Sequence, residues 1–183
     1  MEINDITIVK DPAEVLRTRT PEVELPLCDE DREHLQQMLE YVRNTHDEEY
    51  CAEHQCRASV GIAAPQIGLS KKMLAISIED GDDLIEFALV NPKIISNSTR
   101  LCYLENGESC LSVVPDVEGI VPRYYKVTVR AYNMITDRME DIRLKGYPSI
   151  VMQHEIDHLY GKLYYDHINR EDPWQAIPDA VII

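Results

Sequence analysis

A chain of 183 residues with 44% apolar content is long enough to bury a core without staples, and it suits a single domain over 1-183. Its 33 acidic residues against 18 basic ones leave a net charge of −15, which argues against a nucleic-acid backbone or an anionic membrane as partner. Five irregularly spaced cysteines, no signal-type N-terminus over Met1 to Asp5, and no apolar run near the ~18–20 residues of a membrane span point to a soluble, cytoplasmic protein with free thiols.

Residues 1–27 are short apolar patches broken by Pro12, Pro21 and Pro26, which read as an extended arm with room for one helical turn. Asp29 or Asp31 can cap a helix through Leu35, Met38, Leu39 and Val42, whose spacing of three and four makes one apolar stripe. Residues 29–53 carry nine acids against Arg32 and Arg43, a solvated surface. Cys51, His54 and Cys56 lie in the polar segment 48–57 without a fourth ligand at useful spacing, so a surface loop or helix end is expected there.

The segment from Ser59 to Gly68 is small, nearly uncharged and rich in glycine, which lets backbone approach a ligand and offers N–H and C=O groups along an extended edge. Gln66 is its one polar side chain, and it either caps nearby backbone or faces a site. From Met73 the pattern changes to short runs of strand character: 73–78, 84–90, 93–95, 100–104, 119–121 and 124–132. Turn signals separate them at 79–83, Asn91-Pro92, Asn106-Gly107 and Val121-Pro122. Pro148 to Gly161 then reads as a helix with proline at its start and a glycine stop. Lys162 to Tyr165 looks extended, and the apolar tail 180–183 is expected to pack on the body as an edge strand. The expected class is α+β, with short antiparallel or mixed β-sheets packed around a central C-terminal helix carrying His-Glu-x-x-His.

That motif carries the chemistry. His154 and His158 fall one turn apart on one helix face, so both imidazoles can reach one cation, while Glu155 lies one step round, near the cation's open position. A core helix with histidines on its polar edge is the plainer reading of the same five residues. A third ligand is wanted. Asp166 and His167 lie downstream, but Cys110, in the turn-like Glu108-Ser109-Cys110-Leu111-Ser112, is the more suggestive candidate because a thiolate binds borderline divalent metals strongly.

Three separated segments together resemble the bacterial peptide deformylases, of the type common in Gram-positive bacteria: Gly61-Ile62-Ala63-Ala64-Pro65-Gln66, Glu108-x-Cys110-Leu111-Ser112, and Gln153-His154-Glu155-Ile156-Asp157-His158-Leu159. The resemblance implies a hydrolase that removes formyl from the N-terminal formylmethionine of nascent polypeptides and releases formate. Cys110, His154 and His158 would bind one divalent metal, Fe²⁺ in this family, with Zn²⁺, Ni²⁺ or Co²⁺ able to substitute. The metal's hydroxide would attack the formyl carbon, with Glu155 as general base and then acid. Gln66 and the Leu111 N–H would hold the oxyanion. The peptide would pair with the edge at Ser59, Val60 and Gly61, and Ile150 and Val151 would line the methionine pocket. Glu108 and Asp157 would stand behind the ligands, with Arg123 as their buried cation. Partners would be N-formylmethionyl nascent peptides and the ribosome near its exit tunnel, without direct nucleic-acid or membrane contact.

The family usually has glycine where this chain has Ser59 and Ser109, so either backbone strain or a narrowed site is expected there. An amidase acting on another small N-acyl group is one alternative that these serines motivate. A non-catalytic peptide- or ribosome-binding module is another, against which an intact Glu155 stands.

Overall fold

A computed structural model describes residues 2–81 and 83–183; Met1 of the N-terminal reading and Asp82 of the acidic turn lie outside it. The N-terminal arm makes one 3-10 turn, Glu14–Arg17, and leads into helix α1 (Asp29–Asn44). Cys28, and not Asp29 or Asp31, takes the N-cap position, so the three acids sit in the first turn, where the helix dipole favours them. The polar segment forms a short helix, α2 (Glu48–His54), capped by the Asp47 carboxylate through the N–H groups of Glu49 and Tyr50.

A five-stranded antiparallel sheet in the order β1-β2-β3-β6-β7 forms the body. It comprises β1 (Gly61–Ala63), β2 (Met73–Asp80), β3 (Asp83–Asn97), β6 (Lys126–Asn133) and β7 (Arg138–Lys145). Strand β3 is continuous where two strands and a turn at Asn91-Pro92 were expected. Asn91 takes φ 53° at a register shift between Val90 and Lys93, and its side chain bridges the N–H and C=O of Val23. The bulge accommodates Pro92, which has no N–H to give the ladder. A smaller sheet joins β4 (Leu101–Tyr103), antiparallel β5 (Arg123–Tyr124) and the tail strand β8 (Val181–Ile182), which runs parallel to β4.

Strand alternation separates two cores. On β2, Met73 and Ala75 face α1 with Leu35, Met38, Leu39 and Val42, while Leu74, Ile76 and Ile78 face the opposite side with Val151, Met152, Ile156 and Leu159. Those last four belong to helix α3 (Tyr147–Leu159), ten of whose thirteen residues are buried. A helix buried on nearly every side has no polar face. Gln153 ties it to β5, its amide accepting from the Tyr124 N–H and donating to the Tyr124 C=O. Gly161 ends it at φ 71°, where a Cβ would lie 2.6 Å from the Arg17 carbonyl carbon.

Two expected strands are absent. Residues 119–121 are extended but unpaired, because Gly119 takes φ 143° and the Ile120 N–H goes to the Pro173 carbonyl. Tyr164–His167 form a 3-10 turn, since the Asp166 carboxylate folds back onto the Leu163 N–H.

Candidate metal centre and active-site cleft

Cys110, in the loop after β4, meets His154 and His158 of α3. One side-chain donor atom from each lies within 4.8 Å of the others, and this is the His, Cys, Asp and Glu group able to hold an ion among the described residues. Cys110 Sγ lies 3.3 Å from His158 Nε2. His154 Nδ1 lies 2.8 Å from Glu108 Oε2, and an ionised carboxylate there makes Nδ1 the donor and leaves Nε2 with its lone pair for a cation. Burial opposes ionisation of Cys110, yet the imidazoles of His158 and His154 hold its thiol well below the ordinary value. A thiolate and two imidazole nitrogens make a three-point set that suits a borderline divalent metal with one position left open. Asp166 and His167 stay outside it: Asp166 pairs with Arg17, and His167 Nε2 lies 2.7 Å from Asp157 Oδ2.

Behind the ligands runs a buried ionic chain. Arg123 donates from Nε and Nη2 to Glu108 at 2.8 and 2.9 Å and from Nη1 to Asp157 at 2.5 Å. Burial pushes the Glu108 carboxyl up, but the Arg123 charge and the donors of Arg123 and His154 hold it at about 2. Asp157, likewise penalised by burial, is held at about 2 by His167 and Arg123.

Glu155 is the reverse case. It is 5% exposed, its Oε2 has no partner among the described residues, and burial raises its carboxyl to about 7. Its side chain lies on Gly61, where a Cβ would come within 2.5 Å of Glu155 Oε1 and 2.8 Å of its Cγ. Gly61 is therefore glycine because the carboxylate occupies the space of a side chain.

Gln66 does both things left open by its sequence context. Its Oε1 accepts from the Ala63 N–H at 2.8 Å, and this turns Nε2 toward Cys110 Sγ (3.6 Å) and Ser112 Oγ (3.3 Å). The Ser112 N–H also points at Cys110 Sγ, at 3.5 Å. The Leu111 N–H meets no acceptor among the described residues, while its carbonyl receives Lys10 Nζ at 2.8 Å and Arg57 Nη2 at 2.7 Å. These two cations pin the ligand loop from 54 and 101 residues away in sequence, and no local pattern marks them.

A cleft of about 940 Å³ opens over these groups. Ser59, Val60 and Gly61 form one side of it and Ile150 and Val151 of α3 another. Neither Ser59 nor Ser109 is strained: the non-glycine residues with positive φ among those described are Gln55, Asn91, Asp137 and Asp179. Ser109 is exposed and Ser59 half-buried.

The polypeptide deformylase family model matches residues 6–174. The chain belongs to this family. It is 47% identical to peptide deformylase 2 of Bacillus cereus over 174 residues, 94% of each chain, and 44% identical to the peptide deformylase of Limosilactobacillus reuteri over 180 residues, 96% of each. Among solved structures it resembles a class I type b peptide deformylase from Acinetobacter baumannii (TM-score 0.71, 26% identity, 92% of this chain and 100% of that one). It also resembles a peptide deformylase from Legionella pneumophila (TM-score 0.71, 31% identity, 93% and 88%). The protein is thus a metal-dependent hydrolase that removes the N-formyl group from nascent peptides. No described helix is long and apolar enough to cross a membrane.

Proposed function

We propose that Cys110, His154 and His158 hold a single divalent ion, Fe²⁺, and that Glu155 is the proton-transfer group for hydrolysis of N-formylmethionyl peptides. The observation that carries this is a buried carboxylate with an unpartnered oxygen, next in sequence to one member of a convergent sulfur-nitrogen-nitrogen donor set. One thiolate against a doubly charged ion leaves the site near +1, and such an ion supplies Lewis acidity that brings the pKa of water toward neutrality. Glu155, destabilised as an anion by burial, accepts a proton from water and returns it to the leaving amine. Gln66 Nε2 and the Leu111 N–H stabilise the negative charge that develops on the formyl oxygen; both residues line the cleft, Gln66 Nε2 lies 3.6 Å from Cys110 Sγ, and the Leu111 N–H has no acceptor among the described residues.

The peptide lies extended beside β1 and adds main-chain hydrogen bonds there, with its methionine side chain against Ile150 and Val151. Glu108 and Asp157, bridged by Arg123, orient the ligand helix from behind. The enzyme works in the cytoplasm on chains leaving the ribosome, and its net charge of −15 disfavours direct contact with RNA.

Purification without oxygen, metal analysis, and formate release from a formyl-Met peptide before and after air exposure test this reading. Iron at one per chain and activity that falls in air are expected. Metal-replete protein that releases no formate would overturn the assignment, and activity indifferent to air would replace iron with an air-stable ion, which the metal analysis identifies.

A further inference from the structure

The register of β1 on β2 decides which backbone groups face the cleft. Gly61 pairs with Ile76, Ile62 with Ala75 and Ala63 with Leu74, and the Ser77 N–H donates to the Val60 carbonyl at 3.0 Å. In an antiparallel ladder, hydrogen-bonded and non-hydrogen-bonded pairs alternate. Ile62 and the Val60 carbonyl therefore face β2, while Gly61 and Ala63 turn their groups outward. The Ala63 N–H is already taken by Gln66 Oε1. Two residues before Gly61, on the same outward phase, the Ser59 N–H donates to Thr45 Oγ1 at 3.2 Å and the Ser59 carbonyl accepts from that hydroxyl at 3.0 Å. Gly61 is left as the residue of this edge with both an outward N–H and an outward C=O.

Both are occupied from within. The Ser59 hydroxyl donates to the Gly61 carbonyl at 2.7 Å and accepts from the Gly61 N–H, more loosely, at 3.4 Å. Ser59 lines the cleft, so its hydroxyl stands where the backbone of an added strand would bond. We propose that the Ser59 hydroxyl is an internal competitor of the peptide substrate for Gly61, one that must swing away before a formylated chain can pair with β1. This makes Ser59 an affinity-determining residue for the established reaction, and it rests on the reading that the peptide pairs with β1.

The test compares wild type with Ser59→Ala, Ser59→Gly and Ser59→Thr, all metal-loaded, on a formyl-Met tripeptide. Losing the competitor lowers KM by about 2- to 10-fold, the equivalent of the roughly 0.5–1.5 kcal/mol of one intramolecular hydrogen bond, and the change falls on KM rather than kcat. Thr, which keeps the hydroxyl, stays close to wild type. The gain in the Ala variant disappears with a substrate whose backbone N–H facing Gly61 is replaced by an ester oxygen, because that substrate cannot donate to the freed carbonyl. An unchanged or raised KM in both Ala and Gly variants overturns the proposal, as does a gain that survives the ester substitution. Absence of formate release by the metal-loaded wild type would instead sink the functional reading.

Discussion

Replacing Arg123 with Met strips the ligand helix of its buried counter-charge. Arg123 and Glu108 side chains are each 3% exposed, and Asp157 is 18% exposed, so neither carboxylate can turn to bulk water once the guanidinium is gone. Three charge-assisted hydrogen bonds are lost together. Arg123 and His154 together, against burial, hold the Glu108 carboxyl at about 2 instead of 4.5, a net of about 3 kcal/mol at about 1.4 kcal/mol per tenfold change in proton affinity. Removing one member of a buried ion pair costs about 3–5 kcal/mol in general, so the two routes agree. That is a large share of the roughly 5–15 kcal/mol that keeps a domain folded, and it lowers the melting temperature by on the order of 10 °C. Urea unfolding of the metal-stripped proteins measures it directly. Metal titration adds a second readout, since a His154 without a fixed carboxylate partner is expected to weaken metal affinity about 10- to 100-fold. The cost arises from uncompensated charge, so adding Glu108→Gln and Asp157→Asn to Arg123→Met should recover much of the lost stability. A loss below about 1 kcal/mol for the single variant, or a triple variant no more stable than the single one, would refute the reasoning.

Glu155→Gln should retain one metal per chain while formate release falls by about 10²–10⁴. In the metal-free protein the same change is stabilising above neutral pH. The folded carboxyl sits at about 7 against 4.5 when free, so the wild type loses stability as pH rises from about 4.5 to about 7, and melting curves at pH 5 and pH 8 should show the variants diverging at the higher pH. Gly61→Ala places a methyl against Glu155 and is expected to cost about 1–3 kcal/mol and more than tenfold in kcat, with metal content unchanged. Gln66→Leu removes an aimed donor and should lower kcat about 10²–10³-fold without metal loss. On the surface, Arg43 holds the Glu86 carboxyl below its ordinary range through two 2.6 Å hydrogen bonds. Its contribution is present near neutrality and disappears as pH falls through and below the usual carboxylate range. Arg43→Gln should therefore cost at most about 1 kcal/mol at pH 7 and nothing measurable in strong acid.

Sequence periodicity made α1 and the central strands legible because each has a face that must be apolar, whereas α3, buried on nearly every side, was legible from Pro148 at its start, Gly161 at its end and the His-Glu-x-x-His spacing. Strand β7 escaped notice for the opposite reason: of Arg138 to Lys145 only Ile142 is buried, and the charges that hide the strand are those that protect a sheet edge. Likewise Asn91-Pro92 spells a turn locally, and only the distant Val23 backbone explains why the chain runs straight through it. At the site, motif residues could be read from sequence because their chemistry requires particular side chains. Lys10, Arg57, Thr45 and Ser112 act on backbone groups or on a neighbour's side chain, which leaves no spacing rule to find.

Ser59 and Ser109, where the resemblance led one to expect glycine, differ in their setting. A positive φ would have forbidden both serines, and neither has one, so what matters is where each side chain goes. Ser109 is exposed and also lines the cleft, on the loop that carries Cys110. Ser59 shares the outward phase of Gly61, and that phase is set by the pairing of Gly61 with Ile76. A slip of one residue would turn the Gly61 backbone toward β2 and present Ile62 to the cleft. The same register makes Gly61 the only β1 residue whose missing side chain is filled by Glu155. Substrate pairing, placement of the proton-transfer carboxylate and the reach of the Ser59 hydroxyl are thus three consequences of one strand alignment. A mutation that disturbs the β1–β2 register should damage all three at once, whereas Ser59→Ala should alter the third alone.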